Sequence, residues 1–84
     1  MNIKQTKNFR KRGNQNIKMT FGQNLKRLRL RNNLTQDEVA DALQISRQSI
    51  SKWERDITLP VITFIVPLSK VLKCSVVDLF EMMS

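Results

Sequence analysis

Two helix signals lie so close together in the middle of this chain that few arrangements can satisfy both. In "TQDE", Thr35 and Glu38 have the spacing of a capping box. Asp37 and Glu38 put negative charge in the first turn that follows, where the helix macrodipole favours it. The spacing predicts a helix through Leu43, with Val39, Ala42 and Leu43 facing inward. Only Gln44 and Ile45 then precede Ser46, which is itself a good N-cap. Helices joined by so short a link cannot lie antiparallel at ease. They must cross steeply, in a helix-turn-helix arrangement.

Winding the stretch after Ser46 at helical spacing puts Ile50 and Trp53 on one face. Gln48, Ser51, Lys52 and Arg55 fall opposite, with Arg47 at the edge. About three turns of helix are marginal alone, so Ile50 and Trp53 must hold the segment by packing. The outward surface is cationic, carries an amide and contains no acid. Such a face can simply be solvated. It also has the chemistry of a major-groove reader, since Arg can bond guanine O6 and N7 together, Gln can do likewise to adenine, and Ser suits bases or phosphate. The first helix of the pair would cross the DNA backbone, its free N–H groups and Gln36 facing a phosphate. The two-residue link and the basic charge favour DNA.

The net charge of +8 is unevenly spread. Lys4, Lys7, Arg10, Lys11, Arg12 and Lys18 lie in the first eighteen residues, with no acid among them. Residues 1–18 show no sustained apolar periodicity and read as a basic flexible arm, either a phosphate-seeking segment or a solvated tail. Residues 19–84 form the domain, and Met19 would itself make a plausible protein start. "TFGQ" is another capping box, Thr20 with Gln23, opening a helix with an apolar stripe of Leu25, Leu28 and Leu30 that closes near Asn33. A fourth helix is expected over Val61–Lys73. Pro67 inside it implies either a kink or a well-formed part that starts only a few residues earlier. Ser75 caps a fifth helix through Phe80 or Met82. The fold class is therefore all-α.

Enzyme chemistry has little to work with. The chain contains no histidine and one cysteine, which removes imidazole acid–base catalysis, His-based zinc sites, the usual activation of a thiol and any intramolecular disulfide. Asp37, Glu38 and Asp41 are separated by helical spacing, and the first two suit a helix start. Gly13 and Gly22 are isolated, so no phosphate-cradling loop is present. No catalytic residue, metal ligand, cofactor or small-molecule ligand is expected. The longest apolar stretch, "ITLPVITFIVPLS", is too short to span a bilayer, no signal-peptide core follows the N-terminal charges, and a cytoplasmic location is the expectation.

"LTQDEVADALQISRQSISKWER" resembles the helix-turn-helix of the lambda-repressor-like family of phage and bacterial regulators. With "LKRLR" upstream and "PLSKVLKCSVVDLF" downstream, the resemblance covers about Phe21 to Phe80. It implies a compact five-helix bundle whose third helix reads double-stranded DNA. Arg47, Gln48, Ser49 and Lys52 would then meet base edges or nearby phosphates, and Gln36 and Ser46 would clamp backbone phosphates. Arg29 and Glu54 would form a structural ion pair between the first and third helices. The chain departs from the pattern where glycine is common: Gln44 stands in the turn, Asn33 after the first helix and Asp56 after the third. An acid at Asp56, close to the DNA backbone, would weaken binding.

The function expected is a sequence-specific transcriptional regulator, a repressor acting by operator occupancy. An antitoxin of a toxin–antitoxin pair, or a protein-interaction adaptor of the same fold, are the alternatives. "VITFIVPLSKVL" carries more apolar residues than one helix stripe requires, and the excess, with Phe80, Met82 and Met83, would serve a homodimer.

Overall fold

The computed structural model describes residues 19–81 of the 84. Expectations that fall on residues 1–18 and on Met82 and Met83 lie outside the described residues. Five α-helices follow in order: α1 Phe21–Arg31, α2 Gln36–Leu43, α3 Arg47–Glu54, α4 Ile65–Val71 and α5 Val76–Leu79, with a 3₁₀ turn at Ile62–Phe64 leading into α4. No strand occurs among the described residues.

The helix starts follow the local chemistry closely. Thr20, Thr35 and Ser75 each complete a capping box, with Gln23, Glu38 and Asp78 respectively. Asp78 accepts from the backbone and side chain of Ser75, and these hydrogen bonds hold its carboxyl below the usual range. Ser46 caps α3 by accepting from the Ser49 N–H at 3.3 Å.

The helix ends are more unusual. Asn33, Gln44, Asp56 and Lys73 all sit in the left-handed region, with φ of 58°, 59°, 60° and 55°. In each case the next residue's N–H reaches back over the turn: Leu34 to Arg29 O, Ile45 to Ala40 O, Ile57 to Lys52 O and Cys74 to Ser69 O, at 2.9 to 3.1 Å. These are Schellman closures, which usually place glycine where these four side chains stand. The turn thus buries Leu34, Ile45 and Cys74 partly against the core. Burial and the nearby Asp78 push the Cys74 thiol up, leaving it protonated at neutral pH.

One core serves all five helices. It is built from Phe21, Leu25 and Leu28 of α1, Val39 and Ala40 of α2, Ile50 and Trp53 of α3, Leu68 and Leu72 around α4, and Leu79 of α5. Phe64 closes it with its ring 5.7 Å from Trp53. The inward face of α2 differs from the expectation: Ala40, not Ala42, is buried, and the face consists of Val39, Ala40 and half-buried Leu43. Leu30 is 54% exposed, two positions beyond Leu28 and off the buried stripe.

The fourth segment is divided where proline makes division cheap. Pro67 is the third residue of α4, within the first turn, where backbone N–H groups have no intrahelical partner to lose. The regular helix therefore starts at Ile65, without needing a kink at Pro67. The fifth helix ends at Leu79, with Phe80 as its C-cap.

Two asparagines, one buried and one half-buried, tie the short C-terminal helices to α1. Asn24, fully buried, donates from Nδ2 to Asp78 O and Leu79 O at 2.8 and 2.9 Å, and its Oδ1 accepts from Arg27. Asn32 Nδ2 bridges Leu28 O and Leu72 O. A four-residue helix cannot persist on its own hydrogen bonds. Asn24 and Leu79 hold α5 in place.

Candidate nucleic-acid interface

The site is best built from the anchored end of α3 outward. Ile50 is fully buried and Trp53 is 5% exposed, which fixes the helix in the core against α1 and α2. Gly22 permits the closest approach. A Cβ there would lie 2.5 Å from the Glu54 carbonyl oxygen and would also meet that of Trp53, so only glycine lets the start of α1 ride on the end of α3. Asp56 then locks the junction, its carboxylate accepting from the Gly22 N–H at 2.8 Å and from the Thr20 hydroxyl. The acid that looked misplaced beside DNA is a cap for α1.

Behind the helix, Arg29 and Glu54 form the expected pair. Arg29 Nε and Nη2 donate to the two Glu54 carboxylate oxygens at 2.6 and 3.0 Å, a two-pronged contact between side chains that are 9% and 3% exposed. Arg29 Nη1 also donates to Leu34 O at 2.8 Å. The pair therefore fixes α1, α3 and the turn before α2 together.

Glu54 has a further partner that spacing could not supply. Gln36 Nε2 donates to Glu54 Oε1 at 3.0 Å, while Gln36 Oε1 accepts from Arg47 Nη1 at 3.4 Å. A carboxylate can only accept and a guanidinium only donate, so one orientation of the Gln36 amide satisfies both. Arg47 also places its Nε 3.5 Å from Asp37 Oδ1. Gln36, predicted as a phosphate clamp, is thus held by protein partners at the first turn of α2. It borders an open groove of about 510 Å³ shared with Thr35, Asp37 and Arg47.

Of the six residues singled out as DNA contacts, Gln36, Ser46, Arg47, Gln48 and Ser49 lie around the α2 and α3 N-termini, and Lys52 lies in the last turn of α3. Arg47, Gln48 and Lys52 are exposed, Ser49 and Gln36 are half-buried, and Ser46 is exposed with its hydroxyl used in capping and 3.2 Å from Ser49 Oγ. Arg55 folds back on Ser51, donating to its carbonyl and hydroxyl at 3.3 and 3.2 Å. Spacing missed Asp37 as a partner of Arg47, because the two are ten positions apart on different helices. The αL turn at Gln44 brings them together. Among the described residues no group of three or more His, Cys, Asp or Glu is arranged to hold a metal ion, and no helix is long and apolar enough to cross a membrane.

Comparison with known proteins gives this geometry a lineage. Residues 25–79 match the family described as helix-turn-helix. The chain belongs to that family. This helix-turn-helix chain is also similar to the P22 c2 repressor solved in complex with a synthetic operator, with a TM-score of 0.70 and 28% identity over 75% of this chain and 96% of that one. SinR in complex with DNA, whose N-terminal domain is also known from Bacillus subtilis, gives a TM-score of 0.68 at 28% identity, covering 74% of this chain and all of the other. A 36-residue stretch is 50% identical to the HTH-type transcriptional activator BcrR of Enterococcus faecalis. That stretch spans 43% of this chain but 18% of the relative's length, so BcrR carries much that lies outside the match.

Proposed function

We propose that the chain is a regulator of transcription that binds double-stranded DNA sequence-specifically, with α3 in the major groove. The observation that carries this reading is the division of α3. Ile50, Trp53 and Glu54 are buried, while Arg47, Gln48 and Lys52 project from the other side with hydrogen-bonding heads exposed. A helix that needed only to be solvated would not require so complete an anchor behind so short a cationic face. The operator-bound and DNA-bound relatives give the same direction. Arg47, Gln48, Ser49 and Lys52 would meet bases or adjoining phosphates, and Ser46 and Gln36 would face the backbone.

Repression by occupancy is the simplest mode for residues 19–84, a cytoplasmic domain that needs no cofactor or catalytic step to block a promoter. Residues 1–18 would add phosphate contacts as a basic arm. The bound form would be a homodimer. Leu59, Val61, Ile62 and Val66 are more than half exposed, and beside them Phe21, Pro60, Ile65 and Phe80 help line an apolar groove of about 350 Å³. Two copies joined across this face by a two-fold axis would present their α3 helices to half-sites about one helical turn apart.

Selection from a random pool of duplexes tests the reading. The expected result is an enriched palindromic motif whose affinity falls steeply with salt. Failure to enrich any motif would sink it and favour a protein-interaction role.

A further inference from the structure

The Arg47 guanidinium has two partners, both on α2. Nε faces Asp37 Oδ1 at 3.5 Å and Nη1 lends one hydrogen toward Gln36 Oε1 at 3.4 Å. Gln36 is in turn fixed by Glu54, whose side chain is 3% exposed, so the second hold is traced back into the core. A guanidinium is a planar fork with five N–H donors. With Nε beside a carboxylate and one Nη1 hydrogen turned to Gln36, an end-on pair, one hydrogen each on Nη1 and Nη2, is the fork still available to a ligand.

Two parallel donors at fixed spacing discriminate among bases. In the major groove guanine offers two acceptors side by side, O6 and N7. Adenine offers an acceptor beside a donor, thymine an acceptor beside a methyl group, and cytosine a donor. An arginine free to swivel can instead follow phosphate oxygens, which carry no sequence information.

We propose that Asp37 is a positioning residue for DNA recognition, holding Arg47 end-on toward the paired acceptors of a guanine. The proposal rests on α3 being the reading helix. In the free protein the Asp37–Arg47 pair is solvent-exposed, and exposed pairs contribute little to stability. Its effect appears on binding, when DNA excludes water and the Coulomb attraction between the two side chains grows. The carboxylate also repels nearby phosphates. Its removal therefore acts in opposite senses on the two kinds of binding, weakening choice of base while strengthening attachment to arbitrary DNA.

The test uses the full 84-residue chain as wild type, Asp37→Asn and Arg47→Ala, on the selected duplex and on duplexes altered at single positions. Arg47→Ala locates the position that depends on Arg47, which should be a guanine. At that position alone, Asp37→Asn should lower the preference for guanine over adenine about fivefold, with non-specific affinity unchanged or raised and the thermal midpoint unchanged. A uniform change across all duplexes, or no change, would overturn the positioning role while α3 remained the reader. A base other than guanine at the Arg47-dependent position would overturn it too. If Arg47→Ala relaxed no position, the assignment of α3 itself would fail, and the proposal with it.

Discussion

The two ends of α3 are built on opposite terms. At its C-terminal end, Glu54 is clamped by Arg29 and Gln36, Gly22 brings α1 against the last carbonyls, and Asp56 caps the neighbouring helix from the turn beyond. At its N-terminal end, Arg47 and Gln48 stand exposed, Arg47 held by contacts of 3.4 and 3.5 Å that water can replace. An eight-residue helix therefore keeps its anchoring groups and its exposed cationic groups on opposite faces, with the tightest anchoring at its C-terminal end. The rigid end sets the angle at which the free end meets a partner. Chemistry at the free end can then vary with little cost to the fold.

Substitutions at each end should behave accordingly. Glu54→Ala leaves Arg29 buried with its two-pronged partner gone, and should cost about 3–5 kcal/mol, a large share of the stability of so small a domain. Urea unfolding measures it, and a loss under about 1 kcal/mol would show that the pair does not clamp α1 to α3. Gln48→Ala belongs to the other end. Discrimination at one base pair should fall by about 1–3 kcal/mol with the urea midpoint unmoved, and a shift in midpoint would break the separation.

The junction gives finer tests. Asp56→Ala removes the acceptor for Gly22 N–H and the Thr20 hydroxyl while keeping a side chain at φ 60°, so about 1–2 kcal/mol should be lost. Asp56→Gly loses the same hydrogen bonds but relieves the backbone, and should be measurably less harmful than the alanine variant. Gln44→Gly should make the smallest change, a gain of about 0.5–1 kcal/mol in thermal or urea unfolding, because Gln44 is exposed and its φ of 59° suits glycine better.

Much of this organisation was legible before any coordinates. The capping residues Thr20, Thr35, Ser46 and Ser75 act within a turn of themselves, so spacing alone locates four helix starts. The short link after Leu43 announces the crossing of α2 and α3. Ile50 and Trp53 follow from helical period once Ser46 is the cap. The period misjudged Ala42 and Leu30, since the direction of a face depends on which neighbour the helix meets and at what angle. Gln36 read as a phosphate clamp and Asp37 as a surface and capping group, and their links to Glu54 and Arg47 join residues on separate helices.

Local hydrogen bonding and apolar spacing were enough to determine that this chain is all-helical, where most helices begin, and that α3 has a core face and a cationic one. Those are short-range properties, set by residues within one or two turns. The tertiary structure decided that Asp56 caps α1, that Gly22 must remain bare, and that Arg47 is held from α2. The reason is distance along the chain. Asp56 lies thirty-four positions from Gly22, and no period or spacing rule reaches that far. Only the close crossing of α1, α2 and α3 places an acid over a helix start, and a second acid beside the arginine proposed to read DNA.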